Sequence, residues 1–269
     1  MTATLSEFHY GLVTPVAAYV MACVGSILAL RCTTRSLRRA GGERRWGWLA
    51  LGAISLGCGI WTMHFIAMIG FTVDGELMRY DAGLTMLSLL VAIVVVSVGV
   101  FLVGYRGAGA VNLGIAGTVT GLGVAAMHYM GMGALQVNGG LQYDTGVVVL
   151  SVVIAVVAAT AALWAAVSIS AVWATLGASL VMGAAVSVMH YTGMSAVSVH
   201  AAHGTVGGQS SADLLSFMLA MLAGPLILLL IAGVIVMFDP EVVMGRTEWE
   251  KAQAPAEEPA QGVGAFDWR

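Results

Sequence analysis

Three short stretches of the chain carry the same metal-competent side chains at the same spacing: Met63-His64-Phe65-Ile66-Ala67-Met68, Met127-His128-Tyr129-Met130-Gly131-Met132 and Met189-His190-Tyr191-Thr192-Gly193-Met194. Residues four apart share a helix face. His64 with Met68, His128 with Met132 and His190 with Met194 therefore each present an imidazole and a thioether on one side. Imidazole ligates copper, iron, nickel and zinc, and thioether selects soft ions, Cu(I) above all. No cysteine or carboxylate stands at the same level, which argues against a structural zinc site. Met63, Met127 and Met189, the residues before each histidine, point about 100° away around the helix and are accessory ligands or packing. A single such histidine reads as an interface residue and a single methionine as a gap filler. Three copies in register inside a membrane read as function, because polar groups there are costly.

The elements that carry these motifs are membrane spans. The chain is 59% hydrophobic and 9% charged, whereas soluble domains carry about 25% charged residues. Seven apolar segments approach the roughly 20 residues that cross a bilayer: Leu12–Leu30, Trp46–Ile69, Leu84–Val103, Val111–Leu135, Val147–Val167, Val172–Val197 and Leu214–Phe238. The fifth and sixth form one uncharged stretch, too long for one crossing, and a turn is expected near Ser168–Ser170 with Trp164 and Trp173 as interfacial anchors. The expected class is an all-α integral membrane protein with seven transmembrane helices. The first ten residues lack the basic region of a cleavable leader.

Of the 11 basic residues, Arg31, Arg35, Arg38, Arg39, Arg44, Arg45, Arg106, Arg246, Lys251 and Arg269 fall on one side and only Arg79 on the other. The positive-inside rule then puts the N-terminus outside and the C-terminus in the cytoplasm, in the plasma membrane. No basic patch of nucleic-acid type exists apart from this topological Arg cluster. The expected organisation is a membrane domain over residues 1–238 and a disordered cytoplasmic tail over 239–269, whose APAEEPAQG stretch has no apolar period. Cys23, Cys32 and Cys58 show no pairing or CxxC pattern and read as small buried residues.

The motifs belong to a longer internal repeat. Glycine stands seven residues before each histidine, at Gly57, Gly121 and Gly183, and Gly59, Gly123 and Ala185 stand five before. Small residues let transmembrane helices approach closely, and Gly117-x-x-x-Gly121 fits that pattern. After each motif a short loop leads to an Asp that opens the next span: Tyr80-Asp81, Tyr143-Asp144 and, more loosely, Asp213. Spans two to seven then form three helix-pair repeats, with span one extra. Asp81 and Asp144 are helix N-caps, with charge balance for a cation as a second role. His200 and His203 are accessory ligands or solvated loop residues. Each motif histidine lies about 18 residues into its helix, or about 27 Å at 1.5 Å per residue. That is near the far edge of a roughly 30 Å hydrocarbon core, so all three reach one level near the outer face.

WTMHFIAM at Trp61–Met68, AMHYMGM at Ala126–Met132 and VMHYTGM at Val188–Met194, with the Arg-rich first loop leading to Trp46, resemble the MHYT domain family of bacterial integral membrane sensors. The resemblance runs from about His9 to Phe238. The first copy has Phe65-Ile66 where the pattern has Tyr-Thr, and the second has Met130 for Thr. The resemblance implies a copper site that senses a diatomic gas (O2, CO or NO). It also implies output through cytoplasmic signalling domains. The chain shows no such domain and no acid–base or nucleophile constellation, so non-enzymatic signalling through a separate cytoplasmic partner is expected. Two other readings stay open from the residues themselves: a membrane metal carrier or permease, and a metal- or haem-dependent redox protein.

Overall fold

The computed structural model describes residues 5–6, 10–38, 45–73, 78–137, 139–201 and 211–238. Seven helices account for the seven apolar segments: α1 (Val13–Arg38), α2 (Arg45–Ile69), α3 (Ala82–Arg106), α4 (Ala110–Gly133), α5 (Thr145–Ser168), α6 (Val172–Ser195) and α7 (Ser211–Met237). All seven are long and apolar enough to cross a membrane, and the chain is a multi-pass membrane protein. The uncharged stretch breaks where expected, between Ser168 and Val172.

Helix α1 runs eight residues past the end of its apolar segment. Thr33, Arg35 and Ser36 are buried there, so packing continues where hydropathy stops. The chain divides into two compact units, Met1–Gly233 and Val234–Arg269. The described part of the second is the end of α7 and Phe238. The proposed tail from Asp239 onward lies outside the described residues.

Three two-stranded antiparallel ladders tie helix pairs together. Strand β1 (Leu5–Ser6) pairs with β2 (Thr72–Val73), β3 (Arg79–Tyr80) with β4 (Leu135–Gln136), and β5 (Gly139–Tyr143) with β6 (Val197–Ala201). Each ladder joins the strand before one helix to the strand after the next, giving three strand–helix–helix–strand units: α1–α2, α3–α4 and α5–α6. Within the second and third, the residue that caps the first helix also donates its backbone N–H to the residue ending the motif helix. Asp81 N reaches Ala134 O at 2.9 Å and Asp144 N reaches Ala196 O at 2.9 Å.

The ladders group the helices one helix out of phase with the motif-first repeat read along the sequence, whose pairs α2–α3 and α4–α5 also pack side by side. Consecutive helices from α1 to α6 pack side by side, and α1 closes the ring against α6. The third partner of a motif helix is α1 and not α7. Three glycines show why. An added methyl on Gly57 would meet Ile93 Cα, one on Gly121 would meet Val156 Cα, and one on Gly183 would meet Cys23 Sγ. Ile93 and Val156 are the twelfth residues after Asp81 and Asp144, and Cys23 is the twelfth after Gly11 in Tyr10-Gly11. The first unit thus has Gly11 at the cap position, which concealed its kinship. Asp213 is an exposed residue in the first turn of α7. Helix α7 joins the core through Phe217, Met218 and Leu222.

The glycines five before the histidines serve the other flank. Gly59 lies against Gly25 of α1, and Gly123 against Val95 of α3. Helices α2 and α4 are thus each wedged between the first helix of their own unit and the first helix of the next, by close contacts that only small residues allow. Gly117 and Gly121 both face α5, at Thr160 and Val156.

Candidate metal centre

The wedging turns α2, α4 and α6 so that their motif histidines meet. His64 Nδ1 lies 3.1 Å from His190 Nδ1 and 3.2 Å from His128 Nδ1, and His190 and His128 are 3.3 Å apart through the same atoms. The rings stand edge to face, with centroids 5.0, 5.0 and 5.1 Å apart. All three are buried to 1% exposure or less. Among the described residues they are the one group of three metal-capable His, Cys, Asp or Glu side chains.

This triangle fits a metal ion. A neutral imidazole has one N–H and one lone-pair nitrogen. With the hydrogens on Nε2, three Nδ1 lone pairs converge on one point, and a cation there would relieve their mutual repulsion. The mean side of 3.2 Å puts the centre about 1.9 Å from each corner, close to the roughly 2.0–2.1 Å of metal–imidazole bonds. In this arrangement the three Nδ1 atoms lie too close together to flank a porphyrin as paired axial ligands.

The far sides of the rings are fitted to the helices. His64 Nε2 and His128 Nε2 are buried and reach no hydrogen-bond partner. They rest over Gly131 and Gly193, where a Cβ atom would collide with them. Each of these glycines lies three residues after a motif histidine, so the second motif cradles the ring of the first and the third cradles the ring of the second. The corresponding residue of the first motif is Ala67. Sequence reasoning passed over Gly131 and Gly193. Their signal was the glycine at a fixed position inside the second and third motifs.

The aromatic residue after each histidine serves the neighbouring unit. Tyr129 Oη shares a 2.6 Å hydrogen bond with Ser151 Oγ of α5, and its ring packs on Tyr143 of β5. Phe65 packs on Tyr80 of β3. It lacks the hydroxyl, and Trp61 one turn earlier donates its indole N–H to Ser88 Oγ at 2.9 Å instead. Ser88 and Ser151 each lie seven residues after their cap Asp. The departure of Phe65 from tyrosine is thus offset within the same helix. The equivalent position in α1 is Ala18, with no hydroxyl to offer.

The remaining candidates separate by position. Met68, Met132 and Met194 are all buried, one turn beyond the histidines. Met127 and Met189 pack in the main core, and Met63 in a smaller cluster with Ala18, Ala22 and Ala67. Asp81 and Asp144 are exposed N-caps, their Oδ1 atoms accepting from Leu84 N at 2.7 Å and Val147 N at 3.0 Å. They stand outside the histidine group. Replacing either with alanine should cost about 0.5–2 kcal/mol through loss of the cap and leave metal content unchanged, read by thermal unfolding and elemental analysis on the same samples. The side chain of His200, and His203 altogether, lie outside the described residues. Cys23, Cys32 and Cys58 form no disulfide.

Fold and site together define a polytopic membrane protein with a three-histidine centre on a threefold helical repeat. The chain belongs to the MHYT family. That family's repeat, described as a bacterial signalling protein N-terminal repeat, matches residues 57–116 and 121–179. Among curated proteins the chain is similar to the bifunctional diguanylate cyclase/cyclic di-GMP phosphodiesterase MucR of Pseudomonas aeruginosa. The match is 41% identical over 182 residues, 66% of this chain and 26% of that protein. It is also similar to the cyclic di-GMP phosphodiesterase NbdA of the same organism, 36% identical over 216 residues, 78% of this chain and 27% of that protein. An uncharacterized signaling protein of Caulobacter vibrioides is 35% identical over 201 residues, 74% of this chain and 24% of that protein. The chain thus spans about a quarter of the length of these relatives. No solved structure matches it.

Proposed function

We propose that this domain is a copper-dependent membrane sensor in which His64, His128 and His190 hold one ion. The observation that carries the reading is the convergence of three buried Nδ1 atoms at 3.1–3.3 Å. Three imidazoles with thioethers one turn away favour a soft, low-coordinate ion, and copper is the first-row metal that thioether selects. Met68, Met132 and Met194 are the candidates for a fourth ligand. A bound copper ion would supply a coordination position for a diatomic gas such as O2, CO or NO.

The chain's own residues do the rest. The histidines fix the ion between three helices, Gly131 and Gly193 fix the rings, and Tyr129 and Trp61 connect the motif helices to α5 and α3. A change at the ion is then felt by three helices at once, and the reading routes that change to a cytoplasmic partner. It also keeps the N-terminus outside and the C-terminus inside the plasma membrane. The kinship with proteins named for cyclic di-GMP turnover supports a signalling role.

Transport of the metal is disfavoured by what lies next to the triad. Ile60, Val124 and Val186, one turn before the histidines, border an apolar cavity, whereas an ion path needs polar groups.

Elemental analysis of protein purified without chelator tests the reading. The expected result is near one copper per chain, falling to background in the His64→Ala, His128→Ala, His190→Ala triple variant. Copper content unchanged by the triple substitution would refute the site.

A further inference from the structure

The same cavity carries a second inference. It lies among α1, α2, α4, α5 and α6, measures about 40 Å³ and is almost wholly apolar. One water-sized sphere needs roughly 10–15 Å³ by the same kind of measure. The space therefore exceeds a single water. Membrane-protein interiors are otherwise close-packed, so a void of this size beside a candidate metal centre needs a cause.

Its cause is local. The wall from α5 is built of Ala155, Ala158, Ala159 and Ala162, spaced along one helix face. Helix α3 occupies the equivalent place in the second unit. Counting from Asp81 as from Asp144, its residues matching Ala158 and Ala159 are Val95 and Val96. The fold accepts valines at these positions in one unit and has alanines in the other, and the space opens on the alanine side. The opposite wall holds Ile60, Val124 and Val186, each one turn before a triad histidine. The cavity therefore adjoins the triad on the side away from Met68, Met132 and Met194.

We propose that this cavity is a binding chamber for a small uncharged molecule of two or three heavy atoms, beside the three-histidine centre. The walls offer almost no polar surface, so they would exclude ions and hold water poorly. Apolar cavities of this kind stay dry and take up apolar guests such as xenon. That the natural guest is a diatomic gas rests on the sensor reading; that the chamber accepts a guest does not.

Xenon tests the chamber directly. The full chain is placed in lipid nanodiscs with 13C-methyl methionine and titrated with xenon. Met182 and Met189 line the cavity and are buried, whereas Met86 is exposed on α3. Saturable methyl shifts are expected at Met182 and Met189, with only a linear response at Met86. The Ala159→Val variant should reduce the saturable shifts at least fivefold while unfolding at an unchanged temperature. Linear responses at all three methionines, or saturable shifts that survive the substitution, would overturn the chamber. Both outcomes are read without metal, so they stand apart from a wild-type protein that binds no copper, which would refute the sensor reading alone.

Discussion

Gly131→Ala should lower metal affinity by about 10–100-fold, the loss typical of groups that orient a metal's ligands, although glycine offers no ligand atom. The added methyl would strike His64 Nε2. The imidazole cannot swing aside freely, because it stands edge-on to Phe65 at 4.7 Å and meets the other two rings. Displacement of the ring must move Nδ1 out of the triangle. Gly193→Ala should act alike through His128. Gly133→Ala is the control: it lies two residues from Gly131, and its methyl would make only ordinary contact with Leu84 at 3.8 Å. Copper affinity measured by competition with a chelator of known strength checks this. Equal affinities for the Gly131 and Gly133 variants would show that the cradle does not position the ligand.

The second large effect falls on stability. Gly121→Val should destabilise the protein by about 1–3 kcal/mol or more, the usual cost of overpacking. Here the obstacle is the backbone of Val156 on α5, which cannot change rotamer and must move as a helix. The expected readout is a fall of several degrees in the unfolding midpoint in detergent, with loss of copper because α4 carries His128. Gly114→Ala, in the same helix, would meet nothing within 4 Å. It should be neutral or slightly stabilising, since alanine restricts the unfolded chain more than glycine does. If both variants unfold at the same temperature, the α4–α5 contact is not what the glycine is for.

These two glycines mark what could and could not be read along the chain. The histidines were legible because the same side chains recur at nearly constant spacing and a helix of known rise carries each to one depth. The spans were legible because the bilayer demands long apolar runs, and even the unmarked turn after Ser168 followed from length alone. The helix-contact role of Gly121 was legible from the pattern of small residues. The cradling role of Gly131 was not, because it depends on which ring arrives from another helix, and linear spacing carries no such information. The place of α1 was hidden for a related reason. Tyr10-Gly11 lacks the aspartate that marks Tyr80-Asp81 and Tyr143-Asp144, so the first unit looked like an extra span and Asp213 looked like its substitute. The equivalence emerges only through matched contacts, such as Gly183 on Cys23.

The closure of the ring by α1 has a consequence for how the protein is made. Cys23 leaves the ribosome 160 residues before Gly183, a lag of roughly 8–32 s at about 5–20 residues per second. During that interval the first helix has one permanent flank, against α2, and one bare flank awaiting the sixth. The contact that ends the wait is also among the longest-range in the chain, and it aligns the third histidine-bearing helix. Synthesis therefore completes the three-histidine centre late and at once, so that a chain interrupted before α6 holds two histidines and an unclosed arc of helices.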